Sequence, residues 1–546
     1  MVASSPGARI LRLLRRSLTT QSVAGAAGIV AGGFIASRLL GLIRSMAIAD
    51  TFGTEPELAA YWVAFRIPDL IFQLIAGATL SAAFIPTFSR TVMHEGEREG
   101  WSLASNILNL ISLSTFVVTA LAFVLAPLIV PLLAPGLGEA SGREDELRAL
   151  AIELTRLMLL SPLMFGISGM LSGILNARQH FLAPAIAPLF YNLGIILGAV
   201  ILADRWGIHG LACGVVIGSL GHLLVQLPAL RIVGMRWQPT INIASQNVRD
   251  VLRLMGPRVL GLAAAQVNLV VVLFFASFIS DEAISAINFA FLIMLLPVGV
   301  IGMAIATAVF PRLAQHGAAL ELDRLSETVQ TTLRMILFFS IPASIGLAIL
   351  AEPIVRLFLQ RGAFDEASTN LVVQALVFYA LAAWAHAAIE IVSRGFYALS
   401  DTRTPVLFAL IAMLLNVALC AAFVDPFGIR GLAAATSLAA IVELSLLMWL
   451  LDQRMDGFEI RVLTSSIVRT LGATLVMAQV LVLLSILLNA AGADPDELLG
   501  SFALITIGGL FGLLTFLATA TLLRSPECRA TIRWINKIGI HKQANV

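Results

Sequence analysis

The chain has 546 residues, of which 59% are hydrophobic and 12% charged, with a formal net charge of +2. Soluble domains carry roughly 25% charged residues, so a water-soluble enzyme and a basic nucleic-acid binder are both excluded. With a mean hydropathy of +0.93 the expected solvent is the bilayer, and the placement of the few charges carries more information than their sum.

The amino terminus, RILRLLRR followed by SVAGAAGIVAGG, imitates a secretory signal. Its apolar run continues through Arg38 into a full crossing, so residues 1–21 read as a basic cytoplasmic segment ahead of a first span. Apolar segments of about 20 residues, the length that crosses roughly 30 Å of hydrocarbon, can then be marked off in turn. Fourteen are expected, at 22–50, 57–89, 103–133, 149–176, 183–203, 208–230, 251–279, 283–313, 329–350, 369–399, 404–424, 429–451, 464–490 and 499–523. Basic residues gather on alternate loops: Arg9 to Arg16, Arg90 with Arg98, Arg178, Arg231 to Arg253, Arg312, Arg403, Arg454 and Arg461. That side reads as cytoplasmic, which puts both termini there. Arg356 and Arg361 break the pattern in EPIVRLFLQRGAF, an amphipathic run expected to be a short helix on the outer surface.

The chain also repeats itself. Arg38, Gly41 and Leu42 in SRLLGL recur as Arg258, Gly261 and Leu262 in PRVLGL; GIHGLA at Gly207 recurs as GIRGLA at Gly428, and Pro184 as Pro405, an offset of about 220 residues. Six crossings separate the copies, so both keep one orientation and a pseudo-twofold axis along the membrane normal is expected. Parallel repeats of this kind enclose a transporter's substrate site and rock around it. The expected fold is therefore an all-α polytopic membrane protein. It divides into an N-lobe at 22–235, a C-lobe at 236–455, two further spans within 456–524 and a cytoplasmic tail at 525–546.

Charges inside the spans need a reason, because each costs a few kcal/mol at membrane depth and ordinarily faces a protein interior or wet cavity. Arg38 and Arg44 stand on the first span, and six residues place them about 120° apart on a straight helix. They converge only through a bend at Gly41, or address a cavity at two depths; snorkelling at the membrane boundary is the alternative for both. Arg66 and Asp69 bracket Pro68 one turn apart on the second span and can pair with each other. Glu153 with Arg156, and Glu390 with Arg394, have the spacing for local pairs; Glu443 has no helical partner and is a coupling candidate. His209, His222 and His386 are isolated and read as packing residues. The three cysteines, Cys213, Cys420 and Cys528, have no disulfide or metal spacing, and no metal or cofactor motif is present. With no nucleotide-binding loop, ATP-driven transport is not expected.

SRLLGLIR at Ser37–Arg44, YWVAFRIPDL at Tyr61–Leu70, SAAFIPTFSR at Ser81–Arg90, LPVGVIGMAIATAVFPRL at Leu296 and SRGFYALSDTRTP at Ser393 together resemble the MurJ (MviN) lipid II flippases of bacterial peptidoglycan synthesis. The resemblance implies a fourteen-helix transporter of the MOP superfamily in the bacterial cytoplasmic membrane. It also implies substrate contacts from Arg38 and Arg44, with Arg66 a further substrate-binding candidate. The implied partners are a lipid-linked anionic substrate, membrane lipids and cell-wall synthesis proteins. Several family charges are replaced: Leu292 and Leu295 occupy charged positions on the eighth span, and Ser45 follows the second arginine. At a sodium site known in some members, Asn416 and Thr436 fit as polar-cavity residues while Val272 and Cys420 stand where acids are expected. Two functions remain open. One is a flippase of a polyprenyl-diphosphate-linked lipid, foremost lipid II. The other is a MurJ-like fold serving as a membrane scaffold or regulator, with export of another lipid or a drug-like molecule as a third reading.

Overall fold

The computed structural model describes residues 23–75, 78–455, 457–490, 497–531 and 533, without side-chain placement at 23–27, 78–83, 256–258 and 260–265. Every described element is a helix. Hydrocarbon offers no partner for a free N–H or C=O, and a helix satisfies each within its own segment. Among the described residues eleven helices are long and apolar enough to cross a membrane, or twelve when one pair bent by 44° counts as a single span.

By contacts the chain forms two compact units, Met1–Asp281 and Glu282–Val546. The first contains α1 (Val23–Phe52), α2 (Pro56–Ile75), α3 (Ala78–Glu95), α4 (Glu97–Leu133), α5 (Glu144–Met158), α6 (Leu160–Ala177), α7 (Leu182–Leu197), α8 (Ile208–Leu224), α9 (Leu227–Ile232) and α10 (Gln246–Ser277). A π-helical turn at Gly198–Leu202 and a last turn to Trp206 extend α7. The crossing expected at 149–176 is made of α5 and α6, joined at Leu159. α10, the helix expected to open the C-lobe, packs on α2, α3 and α4. Its Ser277 hydroxyl accepts from the Gly136 N–H at 3.2 Å, and beyond its end Asp281 accepts from the Gly138 N–H at 2.7 Å. The core of this unit gathers Phe84, Phe88, Trp101, Ile107, Met170 and Ile174. Close approach of α7 to α8 requires glycine: a Cβ on Gly194 would lie 2.3 Å from the Gly218 Cα.

The second unit contains α11 (Asp281–Pro297), α12 (Ala304–Ala318), α13 (Leu322–Ile349), α14 (Ala351–Leu359), α15 (Glu366–Ala380), α16 (Ala383–Ala398), α17 (Arg403–Arg454), α18 (Ile460–Ala490) and α19 (Leu498–Leu522). A π-helical turn at Val298–Met303 joins α11 to α12, and α15 with α16 is the pair bent by 44° where the sequence reads one span at 369–399. α17 is 52 residues long, about 78 Å if straight and far more than a bilayer needs. It breaks at Gly428 (φ 54, ψ −133), between the two spans expected at 404–424 and 429–451. Gly207 has the same backbone (φ 51, ψ −134), so GIHGLA and GIRGLA turn in the same way. That conformation is essentially closed to side-chain-bearing residues, which is why glycine stands at this place in both copies. α14 is the short amphipathic helix the sequence leads one to expect; its Arg356 is buried rather than spread on a surface, donating to Glu352 at 2.9 Å and to Gln360 at 3.1 Å.

Candidate functional site

The rotation of α1 decides which arginine faces inward, and α7 sets that rotation. A Cβ on Gly33 would meet the Ala185 carbonyl oxygen at 2.7 Å, Asn192 Nδ2 donates to the Ser37 carbonyl at 3.5 Å, and the Thr51 hydroxyl donates to the Ala199 carbonyl at 3.1 Å. These three contacts zip one face of α1 to α7 along its length. Arg38 falls on the open side: it is exposed, its guanidinium 5.1 Å from the Phe34 ring centre. Arg44 is half-buried, close enough to Tyr61, Tyr191 and Asp69 to act electrostatically on all three. Ser45, where the family has an acid, turns its hydroxyl back to the Gly41 carbonyl at 3.1 Å.

On α2, Arg66 Nη1 lies 3.8 Å from Asp69, the pair that the spacing leads one to expect, and Asp69 also shares a hydrogen bond with Gln73. At 3.8 Å the pairing is loose, and the Arg66 Nε is buried without a hydrogen-bond partner. Arg44 and Arg66 thus both act on Asp69, two guanidinium groups against one carboxylate, a net positive group with Tyr61 and Tyr191 within the same electrostatic reach. Such a site favours a multiply charged oxyanion such as a phosphate or diphosphate, which guanidinium binds with two parallel N–H donors. Arg38 does not join this group, and the side chain of Arg258, expected to mirror it, lies outside the described residues. Neither tyrosine was legible as a site residue, because nothing in the sequence ties Tyr191 on α7 to Tyr61 on α2.

The second unit holds a separate polar cavity of about 380 Å³, lined by Thr307, Phe310, Glu390, Ser393, Arg394 and Tyr397 among others. Arg394 donates to the Glu390 carboxylate at 2.6 Å and to the Thr307 hydroxyl at 3.2 Å, so the expected local pair forms. Glu443 is half-buried and acts electrostatically on Tyr397, one of the lining residues. The Glu153–Arg156 pair does not form. Glu153 turns to His209 at 3.4 Å, outside hydrogen-bond geometry, and Arg156 stacks on Phe123 and donates to its carbonyl at 3.3 Å. Side chains on neighbouring helices outcompete a partner one turn away. His222 bonds to Ser168 at 2.6 Å, whereas the buried His386 Nε2 has no partner.

Asn416 and Thr436 do share a buried patch. Cys420 Sγ donates to Asn416 Oδ1 at 3.5 Å, the Thr436 hydroxyl donates to the Leu432 carbonyl at 3.1 Å, and Tyr379 shares a hydrogen bond with Thr436. A hard cation requires anionic oxygen, and these oxygens are engaged internally with no carboxylate among them. Replacing N-methylglucamine by sodium should therefore leave the thermal midpoint unchanged. A sodium-dependent rise that vanishes in Asn416→Ala would contradict this.

The family model described as "Lipid II flippase MurJ" matches residues 48–502, beginning just beyond Arg44. The chain is 30% identical over 423 residues to the probable lipid II flippase MurJ of Buchnera aphidicola subsp. Acyrthosiphon pisum, covering 77% of this chain and 81% of that protein. It is 28% identical over 501 residues to the counterpart in Rhizobium tropici, covering 90% and 91%. A solved structure titled "Lipid II flippase MurJ, inward closed conformation" superposes with a TM-score of 0.75 at 26% identity, covering 90% of this chain and 98% of that one. A multidrug resistance MATE family transporter of the MOP superfamily superposes at 0.64 with 16% identity, which is a likeness of fold alone. With the family model covering most of its length, and relatives and a solved structure agreeing with it, the chain belongs to the lipid II flippase MurJ family.

Proposed function

We propose that this protein moves a polyprenyl-diphosphate-linked lipid, lipid II of peptidoglycan synthesis, across the bacterial cytoplasmic membrane by alternating access. The observation that carries the reading is the Arg44, Arg66 and Asp69 group, a net positive site held by helices that are otherwise apolar enough to span a membrane. A diphosphate is the part of such a lipid that hydrocarbon most resists, and a membrane-embedded guanidinium pair offsets that cost. Arg38 supplies a further guanidinium on the open side of the same helix. Fourteen crossings are our reading, supported by the eleven apolar helices, the bent α15–α16 pair, the break of α17 at Gly428 and the shorter apolar stretch Gln266–Ser277 of α10. They are arranged as six plus six plus two, with both termini cytoplasmic. Reporter fusions at Asp281 and at Met455 should then fall on opposite sides of the membrane, and finding them on one side would overturn this topology.

A non-transporting scaffold that binds cell-wall synthesis proteins is the second reading. It is favoured by the apolar Leu292, Leu295 and Val272 at positions where the family carries charge. Complementation of a bacterium depleted of its own lipid II flippase, run beside a lipid II accessibility assay, separates the two. Growth with restored outward lipid II supports transport; failure of both at normal membrane levels supports the scaffold.

A further inference from the structure

Away from the membrane-embedded charges, the first unit carries a cavity of about 600 Å³, open at the helix ends where α4 begins and α6 stops. Its wall includes Glu97, Arg98, Trp101, Arg178, Arg236 and Gln238. Arg178 is the fixed element: its guanidinium is 4.6 Å from the Trp101 ring centre and 5.3 Å from that of Phe88, and it donates to Glu97 at 2.8 Å. Its Nε is buried without a hydrogen-bond partner. Arg98 and Arg236 are exposed at the rim, and among the described residues neither has a carboxylate partner. Three guanidinium groups against the single Glu97 leave the cavity with an excess of two positive charges.

The segment carrying Arg236 is held along α4 and does not hang free. The Ser105 hydroxyl accepts from the Gln238 N–H at 3.0 Å, Asn109 donates to the carbonyls of Gln238 at 2.9 Å and Thr240 at 2.8 Å, and Asn106 accepts from the Asn242 N–H at 2.6 Å. Pinned in this way, the segment exposes large apolar side chains: Trp237 at 58%, Ile241 at 51% and Ile243 at 55%. Tryptophan and isoleucine presented beside unpaired arginines are the composition of a membrane interface, where the apolar groups enter the acyl boundary and the cations stay at phosphate level.

We propose that this cavity is a binding site for the phosphate headgroup of an anionic phospholipid, with Trp237, Ile241 and Ile243 against its acyl chains. Arg178 and Trp101 form the rigid floor, Arg98 and Arg236 close on the phosphate, and the two excess charges select an anionic headgroup over a zwitterionic one. The site rests on membrane embedding alone and is independent of which lipid is transported.

The test uses full-length protein in a neutral detergent, titrated with dioleoyl phosphatidylglycerol, dioleoyl phosphatidylcholine or inorganic phosphate, with the thermal midpoint as readout. Phosphatidylglycerol should raise the midpoint in a saturable way, as a ligand of the folded state does, while the other two leave it in place. Arg98→Gln with Arg236→Gln should weaken the phosphatidylglycerol response about thirtyfold, and Arg236→Gln alone about fivefold, the losses expected for arginines at an anionic surface. Because both side chains are exposed, the variants should melt like the parent in phosphatidylcholine. An equal rise with phosphatidylcholine, a rise reproduced by inorganic phosphate, or an undiminished response in Arg236→Gln would each overturn the assignment.

Discussion

Arg38→Ala should abolish complementation while leaving membrane level and thermal midpoint at parental values, whereas Arg44→Ala should lower both transport and midpoint. The difference follows from what each guanidinium touches. Arg38 is exposed and, among the described residues, stacks on its own helix neighbour Phe34 alone, so its removal strands no described partner. If it meets a phosphate, the loss is that of charge-assisted hydrogen bonds worth about 1.5–3 kcal/mol each, at least tenfold in transport rate. Arg38→Lys should rescue poorly, since an ammonium cannot reproduce the planar fork. Arg44 is half-buried within electrostatic reach of Asp69, Tyr61 and Tyr191, and without it Arg66 at 3.8 Å is the one cation among the described residues acting on Asp69. An undercompensated carboxylate inside the bundle is destabilising, so part of any transport defect in Arg44→Ala reflects weakened packing. Complementation and melting of both variants at matched membrane levels make the comparison. If Arg38→Ala complements as well as the parent, Arg38 is no substrate contact, and if Arg44→Ala does so too the scaffold reading gains.

The features legible in the sequence are those imposed by the solvent and by single residues. Hydrocarbon requires continuous apolar helices, so the C-terminal ends of α1, α4 and α13, and both ends of α19, fall close to those of the expected spans. The recurrence of GIHGLA as GIRGLA was legible as a repeat, and the structure gives its reason: Gly207 and Gly428 hold a backbone that few other residues adopt. Features that depend on packing left no local mark. The π-helical turns at Gly198 and Val298 and the bend between α15 and α16 lie in uniformly apolar runs, where hydropathy is blind to a change of hydrogen-bond register. The facing of Arg38 and Arg44 was settled by Gly33, Ser37 and Thr51 meeting α7, contacts about 150 residues away in sequence. Charge pairing showed the same limit: Glu390 chose the partner one turn away, but Glu153 did not.

The longest-range pairing in the second unit leads to the largest expected loss of stability. α18 and α19 fall outside the internal repeat, and a small core of Phe338, Ala473, Met477, Leu481, Phe516 and Cys528 joins them to α13. Just past the end of α19, Glu527 is 3% exposed and accepts from Arg334 Nε at 2.7 Å, from the Ser466 hydroxyl at 2.8 Å and from the Ser525 hydroxyl at 2.7 Å. One carboxylate thus ties α13, α18 and the segment after α19. Burial pushes the carboxyl up, but the bonds from Ser525, its own backbone, Ser466 and Arg334 together hold it below the ordinary 4.5. A depressed carboxyl contributes stability that is fully present above the unfolded value and is lost as pH falls through the lower folded value. The clamp should therefore hold throughout the neutral range and release only below about pH 4.5. Glu527→Ala strands Arg334 in a site where it is only 16% exposed, and breaking such a pair costs roughly 3 kcal/mol. The variant should melt well below the parent at neutral pH and expose the segment after α19 to limited proteolysis. Glu527→Gln, which keeps one acceptor oxygen and turns the other into an amide donor that a serine hydroxyl can accept, should fall between the parent and Glu527→Ala and lose the acid-dependent step. Glu527→Leu combined with Arg334→Leu should recover much of the deficit, because removing both charges leaves neither uncompensated. A double variant as unstable as Glu527→Ala would show that the loss comes from packing around Ser466 and Ser525, and the clamp would not be electrostatic.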